Sequence, residues 1–271
     1  MASDESKPLM EHITELISRL KIVLFAIVAV MLGITMFPAD PSRLLELEYE
    51  PLVAAVVRWI IHSFLPSEAQ VIGLKLLDAL MVYFLVGFSL SVIVCSPLIA
   101  YQAYKFVNPG LAPKERKMLY PFMSSFMALF AVGVIYAWFI IMPITFQIMV
   151  YLTSTAGAVP LFALWDFFYL TFLGLISSGF FFTLPALLYI LMRFDVLSVD
   201  TLTSNRRTVL LVVLVVTAAI TPDPTPISMM FLAVPFFALY EVSIFFGKRI
   251  KKQEELEEGI EAAARYLELS K

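Results

Sequence analysis

The chain is poor in the residues on which soluble enzymes depend. Of its 271 residues only 15% are Asp, Glu, Lys or Arg, two are histidine and one is cysteine. A lone cysteine forms no internal disulfide, and Cys95 stands inside an apolar run, where a small buried hydrophobe is the expected role. Two histidines cannot assemble a His-rich metal centre, and His62 reads as a packed or interfacial side chain. The runs G-x-x-x-x-G-K, G-x-G-x-x-G, H-E-x-x-H and G-x-S-x-G are all missing, so ATPase, dinucleotide, zinc-protease and serine-hydrolase chemistry have no support. No cofactor is implied and no enzymatic activity is expected. The net charge of -3, with its positives scattered, excludes the basic stripe of a nucleic-acid binder. Acids at Asp4, Glu5, Glu11 and Glu15, with no small-residue cleavage site after the first apolar run, argue against a removable signal peptide.

What is present is hydrophobicity. Apolar residues make up 61% of the chain, phenylalanine alone accounts for 24 positions, and the mean hydropathy is +0.89. These values exclude a water-soluble globule and predict an all-α integral membrane protein. Residues 118–165 carry no charge over 48 positions. As one helix they would reach about 72 Å, more than twice a hydrocarbon core of about 30 Å. The run must turn, and Pro143, Gly157 and Pro160 put that turn at roughly 144–160.

Six spans are predicted at about 21–38, 71–104, 115–143, 161–192, 206–222 and 225–247. The last two read as short, because the prolines at 222, 224 and 226 stop any helix between them. Residues 1–20 predict an amphipathic helix, with Leu9, Ile13, Leu16, Ile17 and Leu20 on one stripe. An external interfacial helix is expected at about 51–65, and residues 248–271 form a charged tail. Sixteen of the 19 lysines and arginines fall on the side that holds both termini. That side is therefore expected to be cytoplasmic.

Three features carry candidate chemistry. Glu15 lies four residues before Arg19 on the N-terminal helix, a spacing that also suits a plain surface ion pair. Glu115 follows a loop stiffened by Pro109 and Pro113, where an acid also favours the helix dipole. Glu241 and Asp223 are acids near span ends; Glu241 is suspect as an intramembrane acid and equally well read as interfacial.

Taken in order, several short runs resemble the twin-arginine translocase subunit TatC. They are Pro8-Leu9, His12 and Glu15-Leu16 before the first span; Phe106-x-x-Pro109-x-Leu111-x-x-x-Glu115-Arg116; Thr221-Pro222-Asp223; and Ala233-Val234-Pro235 followed by Tyr240-Glu241. The resemblance covers nearly the whole chain. It implies a cell-membrane receptor for signal peptides bearing two consecutive arginines, in a machine that exports folded proteins on the proton-motive force. Implied partners are the single-span subunits TatA and TatB, in a multi-copy complex within the lipid bilayer.

The resemblance assigns signal-peptide binding to Glu15 and Glu115, with Arg19, Phe106, Pro109 and Leu111 around them. A planar guanidinium fork suits carboxylates in a way that a lysine ammonium does not. It assigns partner contacts within the membrane to Thr183, Thr221 and Met229. Here the chain departs from the family, which commonly carries an acid at the position of Thr183, a glutamine at that of Met229 and an arginine at that of Ile17. The alternative from a different class is a secondary transporter of a small solute, which would want charges at mid-depth and an internal repeat.

Overall fold

The computed structural model describes the backbone of residues 9–40, 49–107, 113–193, 196–220 and 226–269. Helix α1, Leu9–Met36, is one rod: no proline interrupts it, so the amphipathic start and the first span are continuous. At 1.5 Å per residue its 28 residues measure about 42 Å. Helix α2, Leu52–Phe64, buries Val53, Val57, Ile60 and Phe64 on one face and leaves Trp59 exposed on the other. Helix α3, Asp78–Val107, begins at a buried acid whose Oδ2 accepts the backbone N–H groups of Leu74 and Lys75, both at 2.8 Å. Two donors outside the helix are thereby satisfied at a charged acceptor.

The third rod continues past the predicted span end at 143, and the chain reverses within the predicted 144–160 window. Helix α4, Pro113–Tyr136, runs through a π-helical turn at Ala137–Ile141 into α5, Met142–Thr155. Pro143 does not end the rod because it lies in the first turn of α5, where a missing N–H is cheap and the π turn has reset the hydrogen-bond ladder. The chain reverses only at Gly157, whose φ of 75° suits a residue without Cβ. The apolar stretch Phe122–Thr155 is 34 residues, about 51 Å. Its outer end therefore stands beyond a core of about 30 Å. That end is packed by aromatic rings: Trp138 stacks on Trp59 at 4.6 Å and meets Phe64 at 4.5 Å, while Phe146 stacks on Phe167 at 4.5 Å. Beside this cap, β1 (Gln70–Ile72) pairs in parallel with β2 (Leu161–Ala163).

Helix α6, Leu164–Arg193, is the hub, packing against α3, α4 and the last helix. It meets α4 so closely that Ser178 Oγ donates to the Gly133 carbonyl at 3.0 Å. Helix α7, Val199–Ser204, is a single capped turn and a half, and α8, Arg206–Ile220, has 15 residues, about 22 Å. Helix α9 runs from Pro226 to Leu269 without a break, so the last span and the charged tail are one helix. Its membrane-length window, Met229–Arg249, has 21 residues, about 31 Å. The last span is thus not short, in contrast to expectation. The charge-free count stopped before Glu241, but that acid is paired and does not end the helix. Among the described residues five helices are long and apolar enough to cross a membrane, and α8 is shorter than these.

Pro235 lies inside α9 and deprives the Phe231 carbonyl of its i+4 backbone donor. The hydroxyl of Tyr136, at the end of α4, donates to that carbonyl at 2.7 Å. In a bilayer an orphaned carbonyl has no water to turn to. Tyr136→Phe should therefore destabilise the protein by about 1 kcal/mol. Thermal unfolding in detergent checks this, with a Pro235→Ala background as control: there the backbone N–H returns, and the Tyr136→Phe penalty should largely vanish.

Candidate functional site

The N-terminal third of α1 carries Glu15 and Arg19 one turn apart, and the Arg19 guanidinium bonds the Glu15 carboxylate. The side chains are only 14% (Arg19) and 20% (Glu15) exposed, so this is not a pair bathed in water. Partial burial strengthens a charge-assisted bond and raises the cost of leaving either partner alone. The Nε of Arg19 is buried without a hydrogen-bond acceptor. The Glu15 carboxylate is thus shown to accept a guanidinium, and its Arg19 partner has an unsatisfied donor.

The second part of the site is a hairpin. Helix α3 ends at Val107, with a half-buried Phe106 in its last turn. Helix α4 starts at Pro113, a residue that suits a first helical position because its missing N–H would be unpaired there anyway. Glu115 falls in that first turn, where a negative charge complements the helix dipole. Pro109, Leu111 and the side chain of Glu115 lie outside the described residues.

The packing of α1 on α3 relates the two parts. A Cβ on Gly87 would stand 2.8 Å from Thr35 Cγ2, so the C-terminal end of α1 presses on the first third of α3. From that contact Glu15 lies 20 residues back along α1 and Phe106 lies 19 residues forward along α3, about 30 Å in each case. Running antiparallel, the two helices put Glu15 and Phe106 at the same end of the molecule. Arg19 is there too, one turn away.

The remaining sequence candidates are dispersed. Thr183 is buried, and its hydroxyl donates back to the Phe180 carbonyl of its own helix at 2.6 Å, which uses its single donor. Met229 is half-buried near the start of α9. Thr221 and Asp223 lie outside the described residues. Glu241 accepts Arg206, the first residue of α8, at 3.0 Å, with both side chains about two-fifths exposed. The neighbouring Tyr240 donates to the Leu202 carbonyl of α7 at 2.9 Å, and Lys251 reaches Asp200 at 2.7 Å. Together these three bonds pin the basic end of α9 to the α7–α8 turn.

Sequence reasoning missed Arg206 as the partner of Glu241, and it missed Tyr136 and Ser243. Ser243 Oγ donates to the Pro185 carbonyl at 3.0 Å, tying α9 to the proline-bearing turn of α6. For Tyr136 one signal was available: Pro235, inside a span, announces an orphaned carbonyl four residues earlier, at Phe231. Which hydroxyl answers it depends on packing, not on spacing.

Comparison with known proteins gives the family. Residues 11–235 match the family model described as Sec-independent protein translocase protein (TatC). A Sec-independent protein translocase protein TatC of Carboxydothermus hydrogenoformans is 30% identical over 254 residues, covering 92% of this chain and 97% of the relative. Its counterpart from Desulforapulum autotrophicum is 31% identical, covering 93% and 90%. A crystal structure of the twin arginine translocase receptor TatC superposes with a TM-score of 0.70 at 25% identity, covering 88% of this chain and 98% of that one. A second crystal structure of that receptor, in DDM, gives 0.71 at 25% identity, covering 87% and 99%. This multi-pass membrane protein belongs to the TatC family of Sec-independent protein translocases.

Proposed function

We propose that this chain is the signal-recognition subunit of its translocase: a receptor and assembly platform, not an enzyme. It binds twin-arginine signal peptides through Glu15 and Glu115. The observation that carries this reading is the Arg19 guanidinium held on a mostly covered Glu15 carboxylate, at the same end as Phe106. A signal arginine exchanging with Arg19 meets a carboxylate that already accepts this geometry. A lysine brings a point charge without the fork. Phe106, Pro109 and Leu111 shape the surface beside the second acid, and Arg19 tunes access to the first.

In this reading α8 is a sixth, short span, both termini lie in the cytoplasm, and the protein sits in the plasma membrane. The bias of basic residues toward the side holding the termini supports that orientation. TatA and, where present, TatB dock from within the bilayer near Thr183, Thr221 and Met229, and Asp223 orients the external turn. Assembly is multi-copy and export draws on the proton-motive force.

Photocrosslinkers placed at positions 15 and 115 in native-like membranes test the receptor assignment. A peptide carrying Arg-Arg should give adducts at both positions, and a Lys-Lys version should give several-fold fewer. Equal adducts from the two peptides, or none, would remove the receptor reading and bring solute-uptake assays forward.

A further inference from the structure

Helix α9 does not stop where its membrane-length window ends. Past Arg249 the same unbroken rod runs on to Leu269, about 30 Å further, so the charged tail leaves the bilayer in line with the last span. A tail lying on the membrane surface would need a break at the exit, and the proline inside α9 is Pro235, well within the span. The five glutamates between 254 and 261 would also be repelled by an anionic lipid surface.

The apolar residues of this tail repeat at a period of 3.5. With Gln253 at position a of a heptad abcdefg, Leu256 falls at d, Ile260 at a, Ala263 at d and Leu267 at a. From Glu254 to Glu268 every charged residue falls off that seam. Leu256 is 57% exposed in this polar stretch. The same register reaches back into the span, to Val242 at d and Phe246 at a, both of which the bundle leaves exposed. Val242 and Ile260 are 18 residues apart, five full turns, and so stand above one another on one face. A stripe confined to a and d is the seam of a coiled coil, narrower than the face a helix turns to a globular core.

We propose that two copies of this chain pair through a parallel coiled coil of their α9 tails, from Gln253 to Leu267. Copies inserted the same way put their tails on the same side, which makes the pairing parallel. Charge favours a second copy as the occupant: Lys252 is at g and Glu257 at e, so Lys252 of each copy faces Glu257 of the other across the seam. Gln253, a polar residue at a, fixes the register at some cost in stability. Arg249 would also fall at d, but its guanidinium lies 4.5 Å from the Phe245 ring, at a flanking g position, which draws its charge off the seam. About two heptads pair weakly as free helices, and anchoring both in one bilayer raises their effective concentration. The inference rests on the multi-copy assembly proposed above and gives that assembly a specific contact.

The test uses the full chain with Cys95→Ala and one new cysteine, oxidised with copper phenanthroline in native membranes. Ile260→Cys and Ala263→Cys, on the seam, should give about fivefold more disulfide-linked dimer than Glu258→Cys and Ala262→Cys, at f and c. In the Ile260→Cys chain, Lys252→Glu should lower the yield several-fold, and Lys252→Glu combined with Glu257→Lys should restore it. Amounts of protein in the membrane normalise each yield. Equal yields at all four positions, no dimer at any, or a charge swap that fails to restore pairing overturns the proposal. Crosslinking of the Arg-Arg peptide at positions 15 and 115, read in parallel, separates the two claims: adducts without tail pairing remove the coiled coil alone, and tail pairing without adducts removes the receptor reading alone.

Discussion

Replacing Glu15 and Glu115 together by glutamine should lower twin-arginine peptide affinity at least a hundredfold and reduce cargo export to background, with the protein still present in the membrane. Glutamine keeps the size and one acceptor of glutamate but loses the charge, and its amide NH₂ faces the incoming guanidinium donor to donor. A charge-assisted bond is worth about 1.5–3 kcal/mol, and each 1.4 kcal/mol is a factor of ten. A loss near the upper end at Glu115 gives about two orders of magnitude by itself, and Glu15 adds to it. The Glu15 share is expected to be the smaller. Its carboxylate already holds Arg19, so a signal arginine exchanges one guanidinium for another and gains only the difference.

That reasoning makes Arg19→Gln informative as a companion variant. It removes the resident competitor and should leave affinity within a few-fold of the parent, not abolish it. The measurement is equilibrium binding of a labelled Arg-Arg peptide to the protein in nanodiscs, with export normalised to the amount of protein in the membrane. Retention of affinity within twofold in the Glu15→Gln, Glu115→Gln double variant would end the two-carboxylate account.

How much of this could be read beforehand varies with the physics involved. The membrane class followed from composition, and the helices α1, α3 and α6 follow from charge-free runs long enough to span, because lipid leaves a backbone few alternatives. The segment around Phe106 and Glu115 stood out because two prolines punctuate it. What could not be read depends on neighbours. Pro143 reads as a stop, yet a π turn absorbs it and the rod continues to Thr155. Glu241 reads as the edge of a span, yet Arg206 on another helix neutralises it in place. The pairing of residues 70–72 with 161–163 joins two loops about ninety residues apart and has no local signature. The Arg19 pairing of Glu15 was legible as a spacing, but the burial that gives it energetic weight was not.

The hub at α6 yields the second large effect. Gly133→Ala should be the most damaging substitution among the described glycines, lowering thermal stability by about 2–4 kcal/mol, because overpacking costs about 1–3 kcal/mol and a lost interhelical hydrogen bond adds about 1. A Cβ at Gly133 would stand 2.6 Å from the Ser178 carbonyl oxygen and 3.0 Å from Gly179 Cα. These are backbone atoms, which cannot rotate aside, so α4 and α6 must separate and the Ser178 hydroxyl must leave the Gly133 carbonyl. Small residues at such crossings let two membrane helices approach until backbones touch.

Two glycines on the facing helix α6 provide the scale. A Cβ at Gly179 meets the Phe130 ring at 2.7 Å, a side chain that can tilt at some expense. At Gly174 the obstacle is the terminal methyl of Met142, at 2.2 Å, the far end of a flexible chain. Because alanine is a better helix former than glycine by up to about 1 kcal/mol, Gly174→Ala should come out near neutral once Met142 swings away. The expected order of melting temperatures, measured by fluorescence-detected size exclusion after heating, is Gly174→Ala above Gly179→Ala above Gly133→Ala. Since α6 also carries Arg193 and packs on α3 and α9, loosening it at Gly133 should shift the Arg-Arg peptide affinity as well, although residue 133 lies well inside the span. An unchanged melting temperature for Gly133→Ala would mean that α4 and α6 do not pack backbone to backbone, and the hub role of α6 would fall with it.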